Sequence, residues 1–162
     1  LVPMVESSEQ ARDLVQACRY APDGVRGVGE ALARATRFSS VPDSVETANA
    51  QRCLLVQGES KAGIAVLDDI LAVDGIDGVF IGPADLAADM GFGGDSAAPE
   101  VQAVILGALE KIRAAGKAPG ILSLNDDFTQ QYLQVGAQFV AVGIDVVMLA
   151  QTARDTALKW KS

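Results

Sequence analysis

The sequence predicts an α/β protein in which buried parallel strands alternate with helices, folded as one domain over residues 1–162. Three observations support this fold class. Hydrophobic residues make up 49% of the chain but aromatic residues only 5%, so small aliphatic side chains supply most of the apolar surface. Apolar runs of strand length recur, and each is followed by a loop and a helical pattern. Right-handed units of this kind build either an open doubly wound sheet or part of a (β/α)8 barrel.

The first third of the chain contains one strand end and short helices. Residues 1–5 (LVPMV) resemble the end of a buried strand, and because the chain starts there without Met we expect an upstream segment to be missing. Ser7 or Ser8 is predicted to cap a helix that runs through Cys18. A loop over residues 20–29 follows, and then come a short helix or ordered loop over 31–38 and a short helix from 42 toward 50.

The remainder follows the strand–helix rhythm more regularly. Ser60 is predicted to cap a helix over 61–71, Pro99 to begin a helix that Gly116 ends, and Asn125 or Asp126 to cap a helix that Gly136 stops. A short helix over 83–90 and a last helix from Asp145 complete the set. Continuous apolar runs predict four strands, at residues 53–57, 78–82, 118–122 and 139–143.

Composition excludes several classes of function. Lys and Arg number 13 against 21 Asp and Glu, a net charge of −8, which makes nucleic acid an unsuitable partner. No apolar run approaches the roughly 18 residues that span a membrane. Cys18 and Cys53 are predicted to be reduced thiols in a cytoplasmic protein. There is no His, which excludes a Ser-His-Asp triad, a His-ligated zinc site and a His base within these residues.

Two carboxylates follow neighbouring predicted strands. Glu59 comes two residues after the run that ends at Gln57, and Asp85 follows the next strand. Parallel strands end at the same edge of a sheet about 4.8 Å apart, so the two carboxylates are expected to lie close and to repel unless a cation separates them. A hard divalent ion suits such oxygen ligands. The alternative is that each carboxylate merely stabilises a helix N-terminus.

The turn after the second of these strands has features of an anion site. Gly82 allows close approach to the backbone, and Pro83 at the first helical position leaves the amides of Ala84 and Asp85 free for a substrate carboxylate. Gln57 shares a strand face with Glu59, and its amide is expected to donate to a ligand oxygen. The alternatives are an ordinary strand-to-helix turn and a Gln bonded to backbone.

Two other segments give weaker indications. Arg26 lies in a glycine-rich loop and is a candidate for contact with an anionic substrate, although a solvated loop position is the preferred interpretation. Residues 91–95 (GFGGD) are rich in glycine, but they follow a helix and lack the Lys of a nucleotide-binding P-loop. Phosphate binding is therefore not expected there.

Several strings resemble the HpcH/HpaI aldolase family, and together they cover nearly the whole chain. They are LVPMV at 1–5, GVRGVG at 24–29 with ALARA at 31–35, GVFIGPADLAADMG at 78–91, AGKAPGIL at 115–122 and FVAVG at 139–143. The resemblance implies the C-terminal part of a (β/α)8 barrel, a homo-oligomer, and Mg²⁺, Mn²⁺ or Co²⁺ held by Glu59 and Asp85. It places substrate contacts at Gln57, Gly82, Pro83, Ala84 and Asp85. The implied reaction cleaves 4-hydroxy-2-oxo acids to pyruvate and an aldehyde such as succinate semialdehyde.

Two departures from the family pattern shape these expectations. Family members have roughly 250 residues, the length of a complete barrel, so the first three strands, the catalytic His and a transition-state Arg are expected upstream of Leu1. No catalytic residue is therefore assigned within this chain. Gly58 stands where relatives carry Ile. Two alternatives remain open, namely a CoA-ester lyase of the citrate lyase β-subunit type and a catalytically incomplete barrel fragment.

Overall fold

A computed structural model describes residues 1–161, in which strands and helices alternate along the chain. The strands are β1 (Leu55–Gly58), β2 (Gly78–Ile81), β3 (Ala118–Leu122) and β4 (Phe139–Ala141). The helices are α1 (Ser8–Cys18), α2 (Ser44–Gln51), α3 (Lys61–Ala65), α4 (Leu67–Leu71), α5 (Pro83–Asp89), α6 (Pro99–Ala114), α7 (Asp126–Val135) and α8 (Asp145–Trp160).

The four strands form one sheet in the order β1-β2-β3-β4, and every neighbouring pair is parallel. The predicted parallel α/β architecture is thus confirmed. Strand order follows chain order throughout, so the described sheet lacks the reversal of order that marks the switch point of a doubly wound fold. All four strands present their carboxyl ends at one edge, which is the edge where the candidate site lies.

The pleat divides the sheet residues between two faces. Gln57 pairs with Phe80 on one face, whereas Gly58 pairs with Ile81 on the other. On the first face the Phe80 and Phe139 rings meet at 5.5 Å between centroids, on either side of Gly120, where a Cβ would lie 2.8 Å from the Phe80 ring. The second face packs on the helices and forms the hydrophobic core, with fully buried side chains that include Val56, Val79, Ile81, Leu67, Ile70, Ile105, Leu109 and Ile121.

The first residues lie alongside β1 but do not form a regular strand. The Val2 amide donates to the Leu55 carbonyl at 3.0 Å, and the Gln57 amide donates to the Val2 carbonyl at 2.8 Å, which makes an isolated parallel bridge. Met4 then adopts a left-handed conformation with φ of 54° and ends the extended path. The predicted strand end at 1–5 is therefore in the right place but too short to count as a strand.

Helix boundaries follow the predicted caps closely. The side chains of Ser7, Ser60 and Asn125 accept the amides that open α1, α3 and α7. Gly116 and Gly136, with φ of 72° and 101°, follow the ends of α6 and α7. These ends could be predicted from the sequence because capping is a local interaction.

The predicted single helix over 61–71 is wrong, because α3 ends at Ala65 and α4 starts at Leu67. Val66 between them has φ of −107° and ψ of 18°, outside the helical region. Gly63 and Val66 both have low helix propensity, and the break brings Leu67 and Ile70 into the core.

Smaller differences concern strand ends and the segment before α2. Strand β1 starts at Leu55, not at residue 53, because the Leu54 amide donates to the Asp77 side chain at 2.6 Å. Glu30–Leu32 and Arg34–Thr36 form two short 3₁₀ helices in the region where a short helix or an ordered loop was predicted over 31–38. Asp145 is the first residue of α8, as predicted, and its carboxylate accepts the Val146 amide at 2.7 Å.

Helix α8 contains no buried residue. Its exposed apolar side chains are Val146, Val147, Met148, Leu149, Leu158 and Trp160. No helix among residues 1–161 is long and apolar enough to cross a membrane. Cys18 and Cys53 are free thiols, as predicted.

Candidate active site

The ends of β1 and β2 bring Glu59 against Gly82. Gly58 pairs with Ile81 in the parallel register, so the next residues on the two strands lie side by side. A Cβ on Gly82 would be 2.7 Å from the Glu59 Cβ and would overlap the Glu59 carboxylate. The Glu59 side chain therefore occupies the space that any other residue at position 82 would need, and this contact accounts for the glycine.

Glu59 is a buried carboxylate, only 4% exposed. Its Oε1 accepts the Met4 amide at 2.8 Å, and its Oε2 accepts the Gln57 side-chain amide at 2.8 Å. The ion pairs found in residues 1–161, Arg19–Asp74 and Lys111–Asp68, do not include it. A buried carboxylate held by neutral donors alone is a group that a cation would stabilise strongly.

The start of α3 does not use Glu59 as a cap. The Ser60 hydroxyl accepts the Gly63 amide at 3.1 Å, and the Asp89 carboxylate accepts the Lys61 amide at 2.7 Å. These two acceptors satisfy donors that open the helix. Glu59 instead faces Met4 and Gln57, which argues against the alternative that it serves only the helix terminus.

Asp85 lies in the first turn of α5, which begins at Pro83 directly after Gly82. Its side chain is exposed, unlike that of Glu59. The Leu86 amide donates to the Gly82 carbonyl at 3.1 Å as the first bond of the helix. In the part of the chain that the structure describes, the Ala84 and Asp85 amides donate to no protein acceptor, so they are available to a ligand.

A cavity of about 370 Å³ adjoins this turn. It is bordered by Pro83 and Ala84 on one side and by the segment after β3, including Ser123 and Asn125, on the other. A cavity of about 500 Å³ lies between α1 and the segment before β2, but it borders none of the predicted site residues. The smaller cavity is therefore the relevant one, since it touches the candidate anion-binding turn.

The structure gathers all six predicted site residues at one edge of the sheet, with one change of detail. The Gln57 side-chain amide donates to Glu59, so its first role is to orient that carboxylate rather than to contact a ligand. Among residues 1–161 no group of three or more His, Cys, Asp or Glu side chains converges. Glu59 and Asp85 therefore stay a predicted ligand pair, to which water and substrate would add the remaining ligands of a cation.

The weaker candidates lie elsewhere. The Arg26 guanidinium stacks on the Tyr20 ring, 4.4 Å from its centroid, and so packs within its own loop. In the loop after α5, Gly91, Gly93 and Gly94 all have positive φ, and the Asp95 carboxylate accepts the Ala97 amide. Arg26 is half-buried against Tyr20 rather than a fully solvated loop residue, and its backbone amide donates to the Arg19 carbonyl at 2.8 Å.

Two contributions to the site were not predicted. The Met4 amide reaches Glu59 from a left-handed residue, and no local sequence signal favours that conformation in Met. Asp89 caps α3 from 28 residues away. A GPADLAAD string places an acidic residue one turn after Asp85, but nothing in it indicates which helix that residue would reach.

Comparison with known proteins gives consistent results. The profile of the HpcH/HpaI aldolase/citrate lyase family matches residues 1–152. A hydroxypyruvate/pyruvate aldolase from Roseovarius nubinhibens is 62% identical over 162 residues, which are 100% of this chain and 63% of that protein. A 4-hydroxy-2-oxo-heptane-1,7-dioate aldolase from Klebsiella pneumoniae is 55% identical over 160 residues, 99% of this chain and 60% of that protein.

A solved structure gives the same result for the fold. The HpcH/HpaI aldolase/citrate lyase family protein from Burkholderia cenocepacia superposes with a TM-score of 0.88 at 35% identity, over 99% of this chain and 63% of that one. The chain thus spans about three-fifths of the length of the relatives it matches.

Proposed function

Because the chain belongs to the HpcH/HpaI aldolase/citrate lyase family, we propose that it forms part of a metal-dependent class II aldolase. The reaction is cleavage of 4-hydroxy-2-oxo acids to pyruvate and an aldehyde such as succinate semialdehyde. The names of the relatives support an aldolase that acts on 2-oxo acids, since one name includes pyruvate and the other a 4-hydroxy-2-oxo acid. The names do not agree on one complete substrate, so the 2-oxo acid half of the reaction is the better supported.

The observation that carries the proposal is the buried Glu59 carboxylate, which has no cationic partner in residues 1–161 and adjoins the turn that presents Asp85. Glu59 and Asp85 supply hard oxygen donors, which fit Mg²⁺, Mn²⁺ or Co²⁺. When bound, such a cation polarises the carbonyl of a 2-oxo acid and stabilises the negative charge that develops as the C3–C4 bond breaks.

The residues around this pair orient the Glu59 carboxylate and would position the substrate. The Met4 amide and the Gln57 side-chain amide fix the Glu59 carboxylate by donating to Oε1 and Oε2, respectively. Each carboxylate oxygen accepts one bond and keeps a further lone pair that a cation could use. The Ala84 and Asp85 amides donate to no acceptor among residues 1–161 and would hold the substrate carboxylate next to Gly82 and Pro83. No proton transfer is assigned to a residue of this chain, which contains no His.

Titration with Mn²⁺ tests the proposal directly. We expect the unsubstituted chain to bind Mn²⁺, and Glu59→Gln and Asp85→Asn each to weaken that binding by more than about 100-fold, because loss of one of two carboxylate ligands should exceed the effect of losing a supporting group. Free Mn²⁺ is measured by its electron paramagnetic resonance signal, with and without pyruvate. Absence of binding under both conditions would favour a catalytically incomplete fragment, and binding that needs acyl-CoA rather than pyruvate would favour the CoA-ester lyase alternative.

We further propose that the sheet is part of a (β/α)8 barrel and that the protein is a homo-oligomer. Sequential order of four parallel strands supports the barrel, since such barrels order their strands in this way. The apolar residues left exposed along α8 support association, because monomers rarely expose so many large apolar side chains on one element.

A further inference from the structure

Asp89 links the two segments that carry the candidate metal ligands. It is the last residue of α5, and its Oδ2 accepts the backbone amide of Lys61, the first residue of α3, at 2.7 Å. Glu59 lies two residues before Lys61, and Asp85 lies one helical turn before Asp89 on the same helix face. One hydrogen bond therefore joins the helix that follows the first ligand to the helix that carries the second.

Packing makes this bond a constraint on geometry. Leu86 and Ala87 are fully buried, so α5 is fixed between its two aspartates, and Gly63 of α3 lies against the Val5 carbonyl. A carboxylate that accepts a backbone amide forms a charge-assisted hydrogen bond, which is stronger than a bond between neutral groups. The start of α3 is thereby held to the end of α5.

Resting on the proposed function, we propose that Asp89 is a positioning residue that sets the separation of Glu59 and Asp85 and so tunes the affinity for the divalent cation. Asp89 does not coordinate the cation itself. It acts through the Lys61 amide on the segment that holds Glu59 and through α5 on Asp85. Loss of such supporting groups weakens metal binding by about 10- to 100-fold in general, and because Asp89 is exposed we expect the lower end of that range.

Two substitutions of Asp89 distinguish the effect of its hydrogen bond to Lys61 from the effect of its negative charge. Asp89→Ala removes the acceptor, and we expect the dissociation constant for Mn²⁺ to rise about tenfold. Asp89→Asn removes the negative charge but keeps an amide oxygen that accepts the same bond, so we expect a change of less than about threefold. Asp127→Ala, in the first turn of α7, is the matched control for loss of an exposed acidic residue. Its affinity should equal that of the unsubstituted chain.

Substitution of Lys61 removes the same bond from the other side. Lys61→Pro deletes the donor, and Pro suits the first position of a helix. The preceding Ser60 has φ of −137° and ψ of 159°, which is the extended conformation that Pro requires before it. We expect Lys61→Pro to weaken Mn²⁺ binding about tenfold, and Lys61→Ala, which keeps the amide, to leave it unchanged. The variant with both Lys61→Pro and Asp89→Ala should bind Mn²⁺ no more weakly than either single variant, because both substitutions remove the same hydrogen bond.

The outcomes distinguish this inference from the proposed function. Unchanged Mn²⁺ affinity in both Asp89→Ala and Lys61→Pro, or equal loss in Asp89→Asn and Asp89→Ala, would overturn the positioning role while the effects of Glu59→Gln and Asp85→Asn uphold the metal site. Failure of the unsubstituted chain to bind Mn²⁺ would overturn both. Thermal unfolding without metal shows whether each variant is folded, and a purely structural role would lower that transition without the selective loss of Mn²⁺ affinity.

Discussion

Gly82 and Gly58 lie at the same edge of the sheet but on opposite faces, and they are expected to respond differently to the same substitution. At Gly82 an added methyl group would collide with Glu59, whereas at Gly58 its nearest neighbours would be Val79 at 3.5 Å, Ile81 at 3.7 Å and Ile64 at 3.8 Å. The first glycine is thus required by the side chain of a candidate metal ligand, and the second is not required by packing.

Gly82→Ala is accordingly predicted to weaken Mn²⁺ binding by about 100-fold, since the methyl group displaces Glu59 from its two donors. Gly58→Ala is the control. It should leave the affinity unchanged and raise the free energy of unfolding by about 0.4–1 kcal/mol, because alanine restricts the unfolded chain and fits the folded one. Equal Mn²⁺ affinities in the two variants would contradict the placement of Glu59 described above.

Tyr132 gives a prediction that depends on pH. Its hydroxyl donates to Gln102 Oε1 at 2.9 Å in the core, and burial raises the pKa of Tyr132 above its ordinary value of 10.0, although the hydrogen bond with Gln102 opposes the shift. Tyr132→Phe removes the hydroxyl that donates to Gln102 Oε1 and leaves this buried oxygen without a hydrogen bond. This should lower the free energy of unfolding by about 1–3 kcal/mol at pH 8.

The stability difference between the parent protein and Tyr132→Phe should narrow as the solution becomes alkaline. Because the pKa of Tyr132 is raised in the folded state, the folded state retains the phenol proton more strongly than the unfolded state does. The stability that the protonated Tyr132 contributes is therefore complete below pH 10.0 and is lost as the pH rises through the folded-state pKa. Denaturant unfolding of the parent and of Tyr132→Phe at pH 8 and above pH 10 would measure this, and a constant difference would contradict it.

At the scale of the element, α6 contains a glycine that no contact explains. Gly107 is exposed in the middle of the helix, and an added methyl group would have no neighbour within 4 Å. Gly107→Ala is predicted to raise the free energy of unfolding by about 1 kcal/mol through helix propensity alone. In α3, by contrast, Gly63→Ala would bring a methyl group to 2.8 Å from the Val5 carbonyl and should destabilise the protein. Thermal unfolding of both variants checks the opposite signs.

The elements also show how far sequence reasoning extends. Capping residues such as Ser7, Ser60 and Asn125 act within one helical turn, so the sequence predicts the helix starts that they set. The break at Val66 accompanies the tertiary packing of Leu67 and Ile70, which a periodicity of apolar residues over 61–71 does not reveal.

The candidate site also has one part that could be predicted from the sequence and one part that could not. The sequence predicted that Glu59 and Asp85 would follow neighbouring strands at the same edge of the sheet, because parallel strands end there. The contact between Glu59 and Gly82 depends on the register of β1 and β2, which the structure shows and the order of the strands does not determine. The roles of Met4 and Asp89 depend on contacts across 55 and 28 residues of sequence, so they could not be predicted from any local pattern.

At the scale of the whole molecule, α8 is the least integrated part of the described structure. None of its residues is buried, and Leu149 is 71% exposed. If these side chains contact another copy of the chain, Leu149→Lys should lower the molar mass observed by sedimentation equilibrium, because it places a charge in an apolar interface. Gln151→Lys, on the same helix, is the control that adds the same charge without removing an apolar side chain. Equal masses for the two variants would argue against association through Leu149.

The two faces of the sheet have a consequence for how the protein can vary. Gln57, Glu59 and Gly82 lie on the face that holds the candidate site, while Gly58 and Ile81 lie on the face that packs on the helices. Adjacent positions in the chain therefore serve different purposes, and a change at one need not disturb the other. Heat resistance and the shape of the candidate site become separable properties, which selection or laboratory evolution can adjust one after the other along a single short strand and the residue that follows it.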